Sequence, residues 1–310
     1  MKIELSLSKL LHNNNFLELE DSDFYQTVAL LHQALYEMGV EMSVDKVINA
    51  YVSSIHFSKN ILLTDYLTAY YCITEISKSN LSNKLDINRT DFRNGGQSIK
   101  YHANSYEIVF YDKIKDLQQA KISGKRAEEN ENEIQLNVLD PLSNQKPLEV
   151  LRMEVRLNTR QKIRSVLKEI CVKVEPTFNN LFSQNLSKKI LLHYLNEVEA
   201  GYPPILRYQN NSPAKAFDEL LIANPHLNPN QALKLLGLQR ILNEIGTRGF
   251  RESIERFGTY YWYSLNKEMK QLKKIESKDI FSVLRDALNK FEPIKLLAKK
   301  EEMINNDKYE

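Results

Sequence analysis

Two stretches of this 310-residue chain carry polar side chains at the alternating spacing of a β-strand, in a combination suited to a phosphodiester. In EVLRMEVRLN, residues 149–158, the face opposite the apolar one presents Arg152, Glu154 and Arg156. In SYEIVFYDK, residues 105–113, the corresponding face presents Glu107, Tyr111 and Lys113. The face of a sheet that is turned away from the core needs charged residues only for solubility. The combination of an acid, arginines, a tyrosine and a lysine on that face goes beyond this need and indicates a candidate reactive site.

Tyr111 is the predicted nucleophile of such a site. A phenolate that attacks phosphorus forms a phosphotyrosine linkage, which keeps the bond energy for a later rejoining. Lys113 lies two residues further along the same predicted face. We expect its cation either to lower the pKa of Tyr111 from the usual value of about 10 or to hold a phosphate.

A third predicted strand, residues 47–60, supplies candidate metal ligands, because His56, Ser58 and Asn60 share one of its faces. Imidazole nitrogen, amide oxygen and carboxylate oxygen all bind divalent cations. We therefore predict that His56, Asn60 and Glu154 hold Mg²⁺ or Mn²⁺, which would stabilise charge on a phosphoryl oxygen. The three ligands converge only if the strand order allows it.

Each of these residues also has a structural interpretation. A strand histidine is commonly hydrogen-bonded within the fold, a tyrosine is a common strand aromatic, and an acid between two arginines is typical of cross-strand charge pairing. His102 is interpreted as a turn residue, with help in proton transfer as the alternative. Tyr66 and Tyr70 lie four apart on a predicted helix, and Tyr66 is the second choice for nucleophile.

The composition bounds the class of protein. A hydrophobic content of 42% supports an ordinary core, and no run of eighteen apolar residues indicates a membrane span. The start, MKIELSLSKLL, does not resemble a secretory signal, and two cysteines are too few for a disulfide framework or a thiolate zinc site. We expect a cytoplasmic protein that does not act at a membrane.

Charge is distributed unevenly although the net charge is only +2. Residues 1–50 hold three Lys and eight acids, whereas residues 151–194 hold nine Lys or Arg against three acids. Residues 229–274 hold nine against four. Basic later segments favour a polyanionic partner, with solvated helix faces as the alternative.

The pattern of elements predicts an α+β fold, with an antiparallel-sheet domain over residues 1–176 and an all-helical domain over residues 177–310. Strands are expected at 2–9, 47–60, 98–113 as a pair after the turn Asn94-Gly95-Gly96, and 149–157. Helices are expected at 21–38, 64–77 with Thr64 as N-cap, 159–173, 178–199, 213–223, 229–245, 248–257, 264–274 and 279–300. The charged stretch 125–133 is predicted as a loop.

Four segments, in this order, resemble the phage replication initiators of the phage replication protein CRI and gene II/X families, which in turn resemble rolling-circle plasmid initiators. They are SLSKLLHNNN at 6–15, SSIHFSKN at 53–60, SYEIVFYDK at 105–113 and LRMEVRL at 151–157. Each motif is short, and the likeness lies in their order over residues 1–170.

The resemblance implies a nicking and closing endonuclease that starts rolling-circle DNA replication with one divalent metal. It assigns Tyr111 as the residue joined to a 5′ phosphate and Glu154 as the metal-binding acid. The family usually has acids where this chain has His56 and Asn60, a departure that favours Mn²⁺ over Mg²⁺ and leaves open a loss of activity. The implied partners are origin DNA, single-stranded at the nick and duplex nearby, a host polymerase and a host helicase. The oligomeric state is left open, with a homodimer among the options.

The helical half is expected to contact DNA. Its turn Gly246-Thr247-Arg248-Gly249 loosely resembles a helix-turn-helix connection. The predicted DNA-contacting residues, including two on the sheet, are Arg152, Arg156, Arg240, Arg248, Arg251 and Arg256. The aromatics of YYWYSLNK, residues 260–267, are interpreted as caps of the helical core, with stacking on unpaired bases as the alternative.

Two other functions compete with the nicking enzyme. One is a non-catalytic DNA-binding protein, a repressor or degenerate initiator, in which His56 and Asn60 are structural. The other, weaker, is a metal-dependent nuclease that uses water as the nucleophile and leaves no protein attached to the cut strand.

Overall fold

A computed structural model describes residues 2–64, 67–81, 90–120, 148–208, 212–273 and 279–294. It contains one five-stranded antiparallel sheet together with α-helices, so the predicted α+β class with an antiparallel sheet is confirmed. Among the helices in these ranges, none is both long and apolar enough to span a bilayer. Tyr66 and the stretch 125–133 lie outside the described residues.

The sheet has the strand order β1-β5-β4-β3-β2, and every neighbouring pair is antiparallel. Its strands are β1 Ile55–Leu62, β2 Thr90–Arg93, β3 Ser98–His102, β4 Tyr106–Asp112 and β5 Val150–Leu157. β2 was not predicted. The last strand in sequence lies between β1 and β4, which is the order that brings the three polar strands together.

Twelve α-helices are described. They are α1 Leu7–His12, α2 Phe24–Glu37, α3 Val44–Ile48, α4 Ala69–Ser77, α5 Lys113–Ala120, α6 Arg160–Glu169, α7 Phe178–Leu181, α8 Gln184–Ala200, α9 Pro213–Ala223, α10 Pro229–Ile254, α11 Thr259–Lys270 and α12 Ile280–Lys290. Within the described part of the chain, the residues after β5 form no further strand of the sheet.

One face of the sheet forms the main core. The β5 residues on this face are all fully buried, namely Leu151, Met153, Val155 and Leu157. α4 and α8 pack against the strands, and the same cluster of buried side chains continues to Leu288 on α12. The core therefore includes residues from both predicted domains, and the division at residue 176 stays a prediction.

The segment at that division is hydrogen-bonded to the chain before β1. The N–H of Val52 donates to the carbonyl of Pro176 at 2.9 Å, and the N–H of Phe178 donates to the carbonyl of Ala50 at 2.9 Å. These bonds fix the connection between the sheet and the later helices.

The predicted strand at 2–9 is wrong. Ser6 instead caps α1, its hydroxyl accepting from the N–H of Lys9, and Leu7, Leu10 and Leu11 have helical spacing. The predicted strand at 47–60 is also too long, since α3 occupies Val44–Ile48 and β1 begins only at Ile55. Asp45 in the first turn of α3 favours the helix through the helix dipole.

Helix boundaries differ from the prediction where a better cap was available. Thr68, rather than Thr64, caps α4, since its hydroxyl accepts from the N–H of Tyr71 at 3.1 Å. Asn228 caps α10 and forms a capping box with Gln231. α11 begins at Thr259, earlier than the predicted start at 264.

Two glycine-containing turns have the predicted positions. Gly96 has φ +89°, and a Cβ there would lie 2.6 Å from Cε2 of Tyr70, so both backbone and space require glycine. Gly246, with φ 67° and ψ 176°, breaks α10 between the two helices predicted at 229–245 and 248–257.

Candidate active site on the polar face of the sheet

The register of the sheet places the predicted site residues next to one another. On β5, Arg152 lies between Asn60 of β1 and Tyr111 of β4. Two residues further, Glu154 lies between Ser58 and Val109, and after it Arg156 lies between His56 and Glu107. We call this surface the polar face, formed by the outward residues of the three strands, His56, Ser58, Asn60, Glu107, Val109, Tyr111, Arg152, Glu154 and Arg156.

Glu154 is the centre of the polar face and is only 7% exposed. Its Oε2 accepts a long hydrogen bond from the hydroxyl of Tyr111 at 3.4 Å, and its Oε1 accepts from Nε of Arg156 at 3.0 Å. Nδ1 of His56 lies 3.4 Å from the same Oε1. Burial alone would raise the pKa of Glu154, but the contact with His56 and the charges of Arg156 and Arg152 outweigh it and lower that pKa to about 2.

Tyr111 is held in its phenol form. Burial raises the pKa of its hydroxyl well above the usual 10, and Glu154 and Asp116 raise it further, while the charge of Arg152 opposes them. The hydroxyl is therefore protonated at neutral pH. Its ionisation requires either added positive charge or a proton acceptor.

Lys113 lies beside Tyr111 although it is not on a strand. β4 ends at Asp112, and Lys113 is the first residue of α5, with a side chain only 1% exposed. Its Nζ donates to Oδ1 of Asn15 at 3.0 Å and to Oδ2 of Asp116 at 3.3 Å, and lies 5.8 Å from the centre of the Tyr111 ring. Burial, reinforced by the charge of Arg152, lowers the pKa of Lys113 to about 8.

Arg152 bonds to neutral groups rather than to an acid. Its guanidinium donates to three neutral oxygens, those of Asn15 (carbonyl, 2.8 Å), Asn60 (amide, 3.3 Å) and Ser58 (hydroxyl, 2.7 Å). Among the described residues it forms no ion pair, and its buried Nε has no hydrogen-bond partner there. Such a guanidinium beside Tyr111 is suited to an anion such as a phosphate.

The predicted metal ligands converge only in part. The 3.4 Å between His56 Nδ1 and Glu154 Oε1 suits two ligands that each lie about 2.1 Å from one ion, since the tetrahedral edge is then about 3.4 Å. Asn60 is four residues along β1, about 13 Å from His56 at the usual strand rise. Its amide oxygen accepts from Arg152 and its amide nitrogen donates to Phe16, so it is engaged elsewhere. His56 and Glu154 fit a cation, and Asn60 does not complete their set.

The rest of the face is a ladder of ion pairs. Glu107 contacts Arg156 at 3.2 Å and Lys100 at 2.8 Å. His102, the last residue of β3, lies 3.4 Å from Oδ2 of Asp91. On this part of the sheet, away from Arg152, each charged side chain named here therefore has a partner of opposite charge or a histidine beside it.

The two ends of the polar face differ in access. At the Asn60 end, residues 14–18 and α5 cover the strands, with Phe16, Leu117 and Val150 in a small buried cluster. At the other end the side chain of His56 is 53% exposed. A ligand would therefore reach the face from the His56 end.

Glu18 fastens the covering segment to the edge of the sheet. Its Oε1 accepts from the backbone N–H of Asn60 at 2.6 Å, and its other oxygen pairs with Lys59. Neither Glu18 nor Asn15 was among the predicted site residues. The asparagine run at 13–15 was the signal for the latter, since short polar side chains favour turns that bond to the backbone.

The helical half presents a second surface of basic and aromatic residues. Arg240, Arg248 and Arg256 are exposed, and the half-buried Arg251 lies 5.9 Å over the ring of Trp262. Trp262 is buried as a core cap, but the same interpretation is wrong for the three neighbouring tyrosines. Their exposed fractions are 76%, 55% and 59% for Tyr260, Tyr261 and Tyr263.

Comparison with family models, with curated proteins and with solved structures gave no match to this chain. The resemblance to phage replication initiators rests on the four sequence segments and stays a prediction.

Proposed function

We propose that this protein is a rolling-circle DNA replication initiator, a tyrosine transesterase that nicks one origin strand and later rejoins it. The observation that carries the proposal is one contact set: the hydroxyl of Tyr111 bonds to Glu154 beside the guanidinium of Arg152. This set combines a nucleophile, an acceptor that orients it and a cation for the phosphate. The proposal divides the chain into a nicking domain, residues 1–176, and a helical DNA-binding domain, residues 177–310.

In the proposed reaction the Tyr111 oxygen attacks the phosphorus as the bond from phosphorus to the 3′-oxygen breaks. Tyr111 becomes joined to the 5′ phosphate, and the 3′-oxygen leaves as a hydroxyl that primes synthesis, gaining one proton from solvent as the phenol proton of Tyr111 is released to solvent. The phenol proton leaves through Oε2 of Glu154, which already accepts its hydrogen bond. Because a carboxylate with a pKa near 2 is a weak base, the cations of Arg152 and Lys113 must stabilise the phenolate.

The candidate metal would be held by His56 and Glu154, with phosphate or water oxygens completing its shell. When bound, a divalent ion supplies charge stabilisation at a phosphoryl oxygen. Arg152 and Arg156 hold the phosphate in place, and the open His56 end admits a single strand.

The helical half, residues 177–310, is proposed to bind the DNA of the replication origin. Arg240, Arg248, Arg251 and Arg256 contact phosphates, and the exposed tyrosines around residue 260 stack on unpaired bases. A host polymerase and a host helicase are the proposed partners, in the cytoplasm of a bacterial host.

One observation favours the rival function of a non-catalytic DNA-binding protein. Both Glu154 and Glu107 already have cationic partners, and the Asn60 oxygen is bound by Arg152. A face that is compensated in this way is stable without a metal, as a degenerate initiator or repressor would require.

A covalent-adduct assay tests the proposal. The protein is incubated with Mn²⁺ and 3′-labelled single-stranded oligonucleotides from its own flanking DNA, and then run on a denaturing gel. We expect a label that migrates with the protein, is lost in Tyr111→Phe, and persists in Tyr66→Phe and in the exposed control Tyr36→Phe. Adduct that depended on Tyr66 would move the nucleophile there.

Two other results would replace the proposal. Cleavage without attached label would indicate a hydrolytic nuclease. An absence of cleavage, together with tight binding of duplex DNA, would indicate the repressor or degenerate initiator.

A further inference from the structure

A second group of ligand-type side chains lies away from the polar face, between α6 and α8. It consists of Glu169 at the end of α6 and of His193 and Glu197, one turn apart on α8. Among the described residues these are the only three His, Cys, Asp or Glu side chains whose ligand atoms lie within 4.8 Å of one another.

The distances within this group suit a bound cation better than hydrogen bonds. Nε2 of His193 lies 3.3 Å from Oε2 of Glu169 and 3.5 Å from Oε1 of Glu197. Although that nitrogen is buried between two carboxylates, it makes no hydrogen bond to any described residue. Ligands of a tetrahedral Zn²⁺ at about 2.0–2.2 Å are separated by roughly 3.3–3.6 Å, which matches both distances.

The surroundings orient the group. The hydroxyl of Ser165 donates to Oε1 of Glu169 at 2.9 Å, which leaves Oε2 directed at His193. Such outer contacts are typical of metal-binding carboxylates. Tyr194 is fully buried, and its hydroxyl likewise has no partner among the described residues.

The two carboxylates act on a neighbouring phenol, that of Tyr106. Burial raises the pKa of Tyr106 to about 12, with Glu197 and Glu169 as the further causes. Negative charge is thus concentrated where the buried His193 nitrogen lies.

We propose that Glu169, His193 and Glu197 bind one divalent transition-metal ion, with Zn²⁺ as the best fit, as a bridge between α6 and α8. One nitrogen and two carboxylate oxygens suit Zn²⁺, and the partly exposed Glu169 leaves the fourth position to water. The site is independent of the polar face and of the proposed nicking activity.

The bridge has a structural consequence. α6 follows β5, the strand that carries Glu154, and α8 packs on β5 and β1 from the apolar side. A metal between these helices would tie the segment after β5 to the helix layer and would stabilise the folded state.

Lys162 is the competing cation. Its ammonium lies 4.4 Å from the ring centre of Tyr106 and 5.7 Å from that of Tyr194. If Lys162 alone balances Glu169 and Glu197, the group is an ion-pair network and binds no metal.

The test is calorimetric titration of the metal-free full chain with ZnCl₂, with thermal unfolding measured in parallel. Glu154→Gln serves as the background so that the candidate ion of the polar face does not contribute. We expect one Zn²⁺ per chain and a rise of a few degrees in Tm at about 100-fold over Kd. Both should be lost with His193→Ala, and Ser165→Ala should weaken binding about 10- to 100-fold.

Glu169→Gln covers the case in which His193→Ala fails to fold, because its side chain is partly exposed at a helix end. Glu175→Gln is the matched control, an exposed acid paired with Arg164 that should leave binding unchanged. Zinc binding that is absent, or that is insensitive to both His193→Ala and Glu169→Gln, would overturn the proposal.

Discussion

Glu154 and Lys113 are both buried, yet their surroundings act on their charge in opposite ways. Glu154 has a histidine and two guanidinium groups around it, so its carboxylate is stabilised despite burial. For Lys113, burial and the charge of Arg152 outweigh the opposing acids Asp116 and Glu154, so its ammonium is destabilised. Each shift gives a prediction about the dependence on pH.

Glu154 should make the folded state sensitive to acid. Its pKa falls from the ordinary 4.5 to about 2, so its contribution is present above pH 4.5 and is lost as the pH falls from 4.5 to 2. At 1.36 kcal/mol per pKa unit the full contribution is about 3 kcal/mol. We expect Glu154→Gln to be less stable than the wild type at pH 7, with the difference about halved near pH 3 and largely gone near pH 2, as measured by urea unfolding.

The exposed Glu175→Gln is the comparison for this experiment, since a surface ion pair contributes at most about 1 kcal/mol. A difference between Glu154→Gln and the wild type that was the same at pH 7 and pH 3 would contradict the assigned shift.

Lys113 should limit adduct formation at high pH. Its ammonium is charged below pH 8 and neutral above it, so the cation that stabilises the phenolate of Tyr111 is lost as the pH rises through 8. We expect the rate of adduct formation by the wild type to decline above pH 8. Lys113→Arg, which keeps its charge, should retain its rate to higher pH, and Lys113→Met should be slow throughout.

The profile is read from initial rates of adduct formation at about pH 6.5 to 9.5, a range that spans the assigned pKa of Lys113. If the wild type and Lys113→Arg gave the same profile, Lys113 would not be the titrating cation.

Single residues could be placed on the right face from the sequence, but their partners could not. Strict alternation put Arg152, Glu154 and Tyr111 on the polar side of their strands, because the side-chain period of a strand is two. The neutral acceptors of Arg152 come partly from the covering segment around Asn15, which lies far away in sequence and was assigned to no site. The hydrogen bond from the Asn60 amide to the carbonyl of Phe16 depends on that same segment.

At the scale of elements, two glycines of α10 should respond to alanine substitution with opposite changes in stability. Gly246 has φ 67° and ψ 176°, which an L-residue adopts only with strain, so Gly246→Ala should cost about 1–3 kcal/mol. Gly237 lies in the same helix with open space around its Cβ position, so Gly237→Ala should stabilise by up to about 1 kcal/mol. Chemical denaturation of the two variants measures these opposite signs, and a shared sign would contradict the break at Gly246.

Most helices and strands in the later part of the chain could be predicted from local sequence signals, whereas those near its start could not. The helix at 213–223 and the strand near 149–157 have strong local patterns, with Pro213 at a helix start and unbroken alternation in β5. The strand predicted at 2–9 failed because its alternation over a few residues also fits one helical turn, and the Ser6 cap decided between them. β2 has four residues, too few for a period, and is held by its pairing with β3.

At the scale of the whole molecule, the continuity of the core decides how the chain unfolds. One cluster of buried side chains joins the sheet to α8 and α12, and the connection at Pro176 is bonded to Val52. We expect a single calorimetric transition with equal calorimetric and van't Hoff enthalpies. Two resolved transitions would instead support two independent domains divided at residue 176.

The strand order itself could not be read from the sequence. Alternation gives the faces of a strand but not its neighbours, and β5 is inserted between β1 and β4 through a long connection after β4. That insertion is what brings Tyr111, Arg152 and Asn60 into one row.

Glu18 has an effect on how molecules meet one another. An edge strand with free N–H groups is a template for a strand of another chain, and long exposed edges lead to fibres. At the outer edge of β1, the N–H of Asn60 is already occupied by Glu18, and the adjacent Lys59 is paired with the same carboxylate. This N–H is therefore not available to a strand of a second copy, so sheet extension through Asn60 would first require the bond to Glu18 to break.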